Sequence, residues 1–137
     1  MRTPVLQRRR LLVLSAFLPA LRAQAVPPGQ RWYEAAEAMR RLALSWGDQP
    51  YGAVVVQGDR IVGKGPSRVI QRKDPNAHAE REAIRDARER FGAEVLRGAV
   101  LYSTSRPCAW CEAAAAEAGI ARMIHGADLQ DAGAPVR

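Results

Sequence analysis

Between residues 31 and 125 the spacing of apolar residues switches repeatedly between helical period and short strand-length runs, which restricts the chain to an α/β fold. From Arg31 to Trp46 the larger apolar residues fall at 32, 35/36, 39, 42/43 and 46, one face of a helix, with Gly47 as its stop. Tyr51 to Gln57 is apolar and β-branched, Gly58-Asp59 supplies a turn, and Arg60 to Gly65 returns with Ile61-Val62, predicting a hairpin. Ala79 to Phe91 shows helical spacing again at 80, 83/84, 87 and 91, while Arg85 with Glu89 and Asp86 with Arg90 form i,i+4 pairs on the outer face. Gly98–Thr104 and Ile120–His125 are apolar runs flanking the alanine-rich segment Ala109–Ala118, so this half reads as strand, helix, strand. Such a crossover implies parallel strands and a right-handed connection. The alanines at 113–116 suit a helix interior lying close on a sheet, and no internal repeat is present.

Glu80 stands out against this pattern, because it shares its helical stripe with Ala83, Ile84, Ala87 and Phe91, the face that should turn inward. A buried, unpaired carboxylate is costly and responds by raising its pKa, which suits a group that takes up and releases a proton near neutral pH. The structural alternative is a first-turn glutamate stabilised by the helix dipole.

Pro107-Cys108-Ala109-Trp110-Cys111 places a helix-favouring proline ahead of two cysteines three residues apart. On a helix both sulfurs project from one face and can grip one metal ion, and nearby helix-end N–H groups favour thiolates. Taken alone, the same spacing serves redox centres, and export to an oxidising compartment would favour a disulfide, so the cysteines by themselves point slightly to redox or disulfide chemistry. His78 and Glu80 alter the balance: they open one helix as Cys108 and Cys111 open the next, so two helix N-termini following strands of one sheet can converge on a point. His78, Cys108 and Cys111 then make a three-ligand set with an open fourth position, the arrangement of a catalytic zinc site. The ordered combination H-x-E…P-C-x-x-C is the signature of zinc nucleobase deaminases, in which the Glu is a general acid/base and not a ligand.

The 137 residues are 47% apolar and 26% charged, ordinary for a globular chain, and the formal charge of +7 is unevenly placed. Residues 1–25 carry Arg2, Arg8, Arg9, Arg10 and Arg22 with no acid, leaving 16 basic against 14 acidic residues in the remainder, or +2. Net charge therefore gives little support for a nucleic-acid partner. The same residues run from the basic patch Arg8-Arg9-Arg10 through the apolar stretch Leu11–Leu21 to Ala23-Gln24-Ala25, the organisation of a cleavable export signal, and Arg8-Arg9-x-Leu11-Leu12 is similar to a twin-arginine signal. The apolar stretch is about half the ~20 residues of a membrane-spanning helix. The expected organisation is an export signal at 1–25 directing the chain to a bacterial periplasm, a Pro/Gly-containing linker at 26–30, and one domain at 31–137.

Asp74-Pro75-Asn76-Ala77-His78-Ala79-Glu80 and Thr104-Ser105-Arg106-Pro107-Cys108-Ala109-Trp110-Cys111-Glu112 resemble the motifs of bacterial guanine deaminases and tRNA adenosine deaminases, members of the cytidine deaminase-like superfamily, over the stretch Arg31–Gly126. The resemblance implies a three-layer α/β/α sandwich around a mixed sheet, a homodimer, and a zinc ion whose water attacks the amino-bearing carbon of a base while Glu80 moves the protons. It further implies that the backbone N–H groups of Ala79 and Cys108 face the substrate, that Ser67 stands where relatives place a base-binding asparagine, and that Trp110, where relatives often carry methionine, lines the pocket or packs. His125 is a strand-end residue with no assigned role. Relatives continue beyond the strand at Ile120–His125 with another strand and helices, whereas Ala127–Arg137 predicts a C-terminally short version.

The expected function is hydrolytic deamination of a free nucleobase or nucleoside of guanine or cytosine type, with zinc as cofactor and a small molecule as partner. Two alternatives stay open: tRNA adenosine-to-inosine deamination, and a non-catalytic or C-x-x-C redox domain.

Overall fold

The computed structural model describes residues 27–137, so the export-signal reading and its cleavage point lie outside the described residues. A helix α1 (Gln30–Ser45) leads into the hairpin β1 (Gly52–Gln57) and β2 (Arg60–Pro66), then a single-turn helix α2 (Val69–Arg72) and the longer α3 (Ala79–Phe91). A 3₁₀ turn (Ala93–Leu96) precedes β3 (Val100–Ser103), α4 (Ala109–Ala118), β4 (Arg122–His125) and β5 (Gln130–Gly133). The strands form one sheet in the order β2-β1-β3-β4-β5. The hairpin partners β1 and β2 are antiparallel, as are β1 with β3 and β4 with β5, while β3 and β4 run parallel around the α4 crossover. The mixed α/β sheet expected from the sequence is the observed one. Among the described residues no helix is long and apolar enough to cross a membrane.

The layers follow from the two-residue period of β1. Ala53 and Val55 pack with Ala79, Ala83, Ile84 and Ala87 of α3 and Ala115 of α4 in one cluster. Val54 and Val56 face the other way, against Ala36, Trp32 and Met39 of α1 and Tyr102 of β3. A central strand covered on both faces reads as a continuous apolar run, which is why β1 carries no polar residue before Gln57. Leu96, Leu101 and Met123 are among the fully buried large side chains, each stabilising the fold by about 1.5–3 kcal/mol through transfer from water.

Two glycines of β2 set the position of α3. A Cβ on Gly65 would lie 2.0 Å from the Ala79 carbonyl oxygen, and one on Gly63 would lie 2.2 Å from that of Ala83. The helix backbone therefore rests directly on the strand, and the small residues Ala79, Ala83 and Ala87 complete the contact. The first turn of α3, with His78 and Glu80, is thereby fixed against the end of β2.

Several expectations are corrected. Phe91, placed on the inward stripe of α3, is 48% exposed at the last turn, where the Arg60 guanidinium lies 5.6 Å from its ring centroid. The short segment after β4 is not without structure: Gln130–Gly133 forms a further antiparallel edge strand, β5, whose sequence carries no apolar alternation to announce it. Helix α2 has no local signal in the sequence, because its first N–H groups are capped from a distance. Asp48, just beyond α1, accepts hydrogen bonds from the Ile70 N–H at 3.1 Å and the Gln71 N–H at 2.8 Å. The outer-face pairs hold as expected, Arg85 to Glu89 at 2.8 Å and Arg90 to Asp86 at 2.9 Å.

Candidate metal centre and active site

His78 and Cys108 occupy equivalent places, each with extended backbone immediately before a helix. Neither helix has a side-chain cap, so the N–H groups that every helix leaves unpaired in its first turn point toward the space between them. Two helix N-termini aimed at one place create positive potential there, which favours thiolates and other anions. The turn before α4 is held by the Ser103 hydroxyl, which donates to the Ser105 carbonyl at 2.7 Å, and by Thr104, whose hydroxyl accepts the Gly52 N–H at 3.1 Å.

The structure brings the three predicted ligands together. His78 Nδ1 lies 3.6 Å from Cys108 Sγ and 3.5 Å from Cys111 Sγ, and the three ligand atoms are all within 4.8 Å of one another. Around a tetrahedral zinc, with Zn–N near 2.0 Å and Zn–S near 2.3 Å, nitrogen and sulfur stand about 3.6 Å apart. The observed separations thus fit a metal without rearrangement, with Nδ1 as the ligating nitrogen and one corner left to the cleft. Both cysteines are free thiols rather than a disulfide. Cys111 is buried, and its thiol is pushed strongly upward by burial and then by the nearby Glu80 carboxylate.

Glu80 is 5% exposed in the first turn of α3. Burial raises its carboxyl pKa, opposed by its own backbone N–H, the Cys111 thiol and the His78 charge. This is the position the apolar stripe assigned to it, inward and beside the three ligands. Glu80, His78, Ala79 and Cys108 line a cleft of about 710 Å³ together with Gln49, Pro50, Tyr51, Ser105 and Arg106. A volume of this size accepts a purine or pyrimidine base.

Two other candidates are placed elsewhere. Ser67 is completely buried, its hydroxyl donates to Asp48 Oδ1 at 3.0 Å, and it does not line the cleft. Its hydroxyl is thus committed to a buried carboxylate rather than to the cleft. Trp110 is 73% exposed on the surface of α4, neither lining the cleft nor packed in the core. Its helix contributes only Cys111 and Ala115 to the buried interior, and position 110 falls on the opposite side. His125 is half-buried at the end of β4, away from the cleft lining. Of the other lining residues, Ser105 and Arg106 fall within the second motif but carried no assigned role, while Gln49, Pro50 and Tyr51 precede β1 in a connection without a pattern of its own. Their only sequence signal is position, just before β1 and just after β3 on the end of the sheet that carries the metal ligands.

The family model for MafB19-like deaminases matches residues 29–133. A tRNA-specific adenosine deaminase of Aquifex aeolicus (strain VF5) is 38% identical over 87 residues, 64% of this chain and 58% of that protein. The guanine deaminase of Bacillus subtilis (strain 168) is 37% identical over 83 residues, 61% of this chain and 53% of that protein. A solved structure of Bacillus subtilis guanine deaminase superposes with a TM-score of 0.66 at 32% identity, covering 71% of this chain and 62% of that chain. The chain spans somewhat more than half the length of these curated relatives. With the two motifs set on converging helix N-termini, and with the match running through both, the chain belongs to the MafB19-like deaminase family.

Proposed function

We propose that this chain is a zinc-dependent hydrolase that deaminates a free nucleobase or nucleoside of guanine or cytosine type. The observation that carries this reading is the buried Glu80 carboxylate, set in the wall of one cleft with His78, Cys108 and Cys111 grouped at metal-binding distances. Soft sulfur and imidazole donors in this number suit zinc.

His78, Cys108 and Cys111 would hold the ion, which when bound supplies Lewis acidity that makes water a nucleophile at neutral pH. Glu80, whose carboxyl pKa is raised by burial, accepts a proton from the attacking water. It returns that proton to the ring nitrogen beside the amino-bearing carbon, and it then assists transfer of the second water proton to the departing amine. Water adds its oxygen, the C–N bond breaks, and ammonia leaves. The unpaired N–H groups of Ala79 and Cys108 at the helix starts orient the base against Glu80.

The reading extends to a homodimer and to export of the chain by its arginine-containing N-terminus, both tested on the full chain by sizing in solution and by fractionation with N-terminal sequencing. Deamination itself is tested by counting zinc per chain and assaying ammonia release across bases and nucleosides beside Glu80→Ala. About one zinc per chain with release abolished by the substitution supports it, and absence of release from every substrate overturns it.

A second reading, tRNA adenosine deamination, is favoured by the similarity to the Aquifex protein and by Arg106, an exposed cation in the cleft wall. Inosine formation in tRNA, without ammonia release from free bases, would select it. A redox role for Cys108 and Cys111 predicts instead a reversible disulfide and thiol reactivity unaffected by chelators.

A further inference from the structure

A cleft that distinguishes one base from another needs a polar side chain to pair with the base edge, because an apolar wall discriminates weakly. Ser67 is not free to do this. Its hydroxyl is fully buried and committed to Asp48 Oδ1. The same Oδ1 atom accepts the Gln49 N–H at 2.8 Å, and the Gln49 carbonyl accepts the Tyr51 N–H at 2.8 Å. One carboxylate therefore withdraws Ser67 from the cleft and fixes the backbone of Gln49 at its wall. Gln49 lines the cleft with Glu80, and among the described residues its carboxamide has no hydrogen-bond partner. Of the other polar lining side chains, Arg106 can only donate, and Tyr51 and Ser105 each offer a single hydroxyl. Gln49 alone presents a donor and an acceptor side by side in one plane.

We propose that Gln49 is the specificity-determining residue of the cleft, pairing through its carboxamide with the lactam edge of a base, a ring N–H next to a carbonyl. The ring N–H donates to Gln49 Oε1 and Gln49 Nε2 donates to the base carbonyl, two parallel hydrogen bonds of the kind an amide makes with its own complement. Guanine carries this edge beside its amino-bearing carbon, and so does guanosine. Free cytosine carries it, but cytidine does not, since the sugar replaces the ring hydrogen. Adenine has no carbonyl and cannot make the pair. Asp48 acts through Gln49 as a positioning residue. The inference rests on the deamination reading and narrows its substrate class to lactam-bearing amino bases.

The test compares the full zinc-loaded chain with Gln49→Leu and Gln49→Glu, measuring kcat and KM for ammonia release from guanine, cytosine, cytidine and adenine. Equilibrium dialysis of the labelled compounds against the Glu80→Ala chain, with and without Gln49→Leu, measures binding without turnover. Guanine or cytosine is expected to be preferred over adenine and cytidine, and Gln49→Leu is expected to raise KM for the preferred base about 10- to 100-fold with a smaller change in kcat. Gln49→Glu, which removes the donor and sets a carboxylate against the base carbonyl, is expected to lose at least as much. Preference for adenine or cytidine, an unchanged KM in Gln49→Leu, or a base ranking altered by Ser67→Ala but not by Gln49→Leu overturns the inference while leaving deamination standing. Gln49-dependent binding without ammonia release overturns deamination and supports the role of Gln49, and absence of binding by every compound overturns both.

Discussion

The Ser67 hydroxyl donates to Asp48 Oδ1 at 3.0 Å across 19 residues of sequence, and both side chains are buried. Through this bond the end of β2 is tied to the segment that follows α1. The other carboxylate oxygen caps α2, so one acidic side chain organises three connections on the cleft side of the sheet.

Asp48→Ala leaves the donors of Gln49, Ser67, Ile70 and Gln71 without their acceptor. Unsatisfied buried donors cost about 1–3 kcal/mol each, and partial access to water at α2 offsets some of this. The expected loss is roughly 2–4 kcal/mol, read from urea unfolding of both chains. An unchanged midpoint would show that these bonds form equally well with water.

The pH dependence of that loss is fixed in sign. Burial pushes the Asp48 carboxyl up, but the Gln71 and Gln49 N–H groups, the Ser67 hydroxyl and the Ile70 N–H together hold it below its ordinary value. A depressed folded pKa contributes stability that is complete above the unfolded value of about 3.9 and disappears as pH falls through the folded value. The stability difference between the chain and Asp48→Asn should therefore be constant near neutrality and shrink below about pH 4. A difference that grows on acidification would contradict the assignment.

Gly65→Ala forces a methyl against the Ala79 carbonyl oxygen and to 2.4 Å from the Ala83 nitrogen, both backbone atoms with no rotamer escape. Overpacking of this kind costs about 1–3 kcal/mol, with the upper end expected here. Because the shift falls on the first turn of α3, zinc affinity should drop along with the melting temperature. Isothermal titration with zinc separates this outcome from simple destabilisation, which would leave affinity in the folded fraction unchanged.

Chelation is expected to unlink the starts of α3 and α4. At a free zinc concentration 100 to 1,000 times the dissociation constant, binding to the folded state alone contributes about 3–4 kcal/mol. His78→Ala and Cys111→Ser should each abolish both the zinc content and the fall in melting temperature on chelation. Retention of the chelator effect in both variants would place the metal elsewhere.

Glu82 is buried on α3 within 2.7 Å of the Arg85 guanidinium and 3.6 Å of those of Arg68 and Arg72. Its removal leaves three arginines without their shared anion, although each keeps part of its head group in water. The expected cost of Glu82→Gln is about 1–3 kcal/mol, since breaking a fully buried pair costs more and an exposed pair almost nothing. Urea unfolding in low and high salt checks this, with little salt dependence expected for the shielded Glu82–Arg85 contact.

What the sequence determined by itself rests on local spacing, which places the long helices and strands but not the exposed Phe91 at the end of α3. The limits of α3 at Ala79–Phe91 were legible from helical spacing, and those of α4 at Ala109–Ala118 from its alanine-rich run behind Pro107. The inward turn of Glu80 was legible because its stripe is largely apolar, and the grouping of His78 with both cysteines because each motif opens a helix, although α2 intervenes between β2 and the first of them. What only the tertiary structure decided depends on partners distant in sequence. Helix α2 exists through a carboxylate more than 20 residues upstream, β5 through a place at the sheet edge beside β4, and the withdrawal of Ser67 through the same Asp48 that sets Gln49 in the cleft wall. Periodicity is a property of neighbouring residues, whereas a hydrogen bond across the fold exists only once the chain has brought its two partners together.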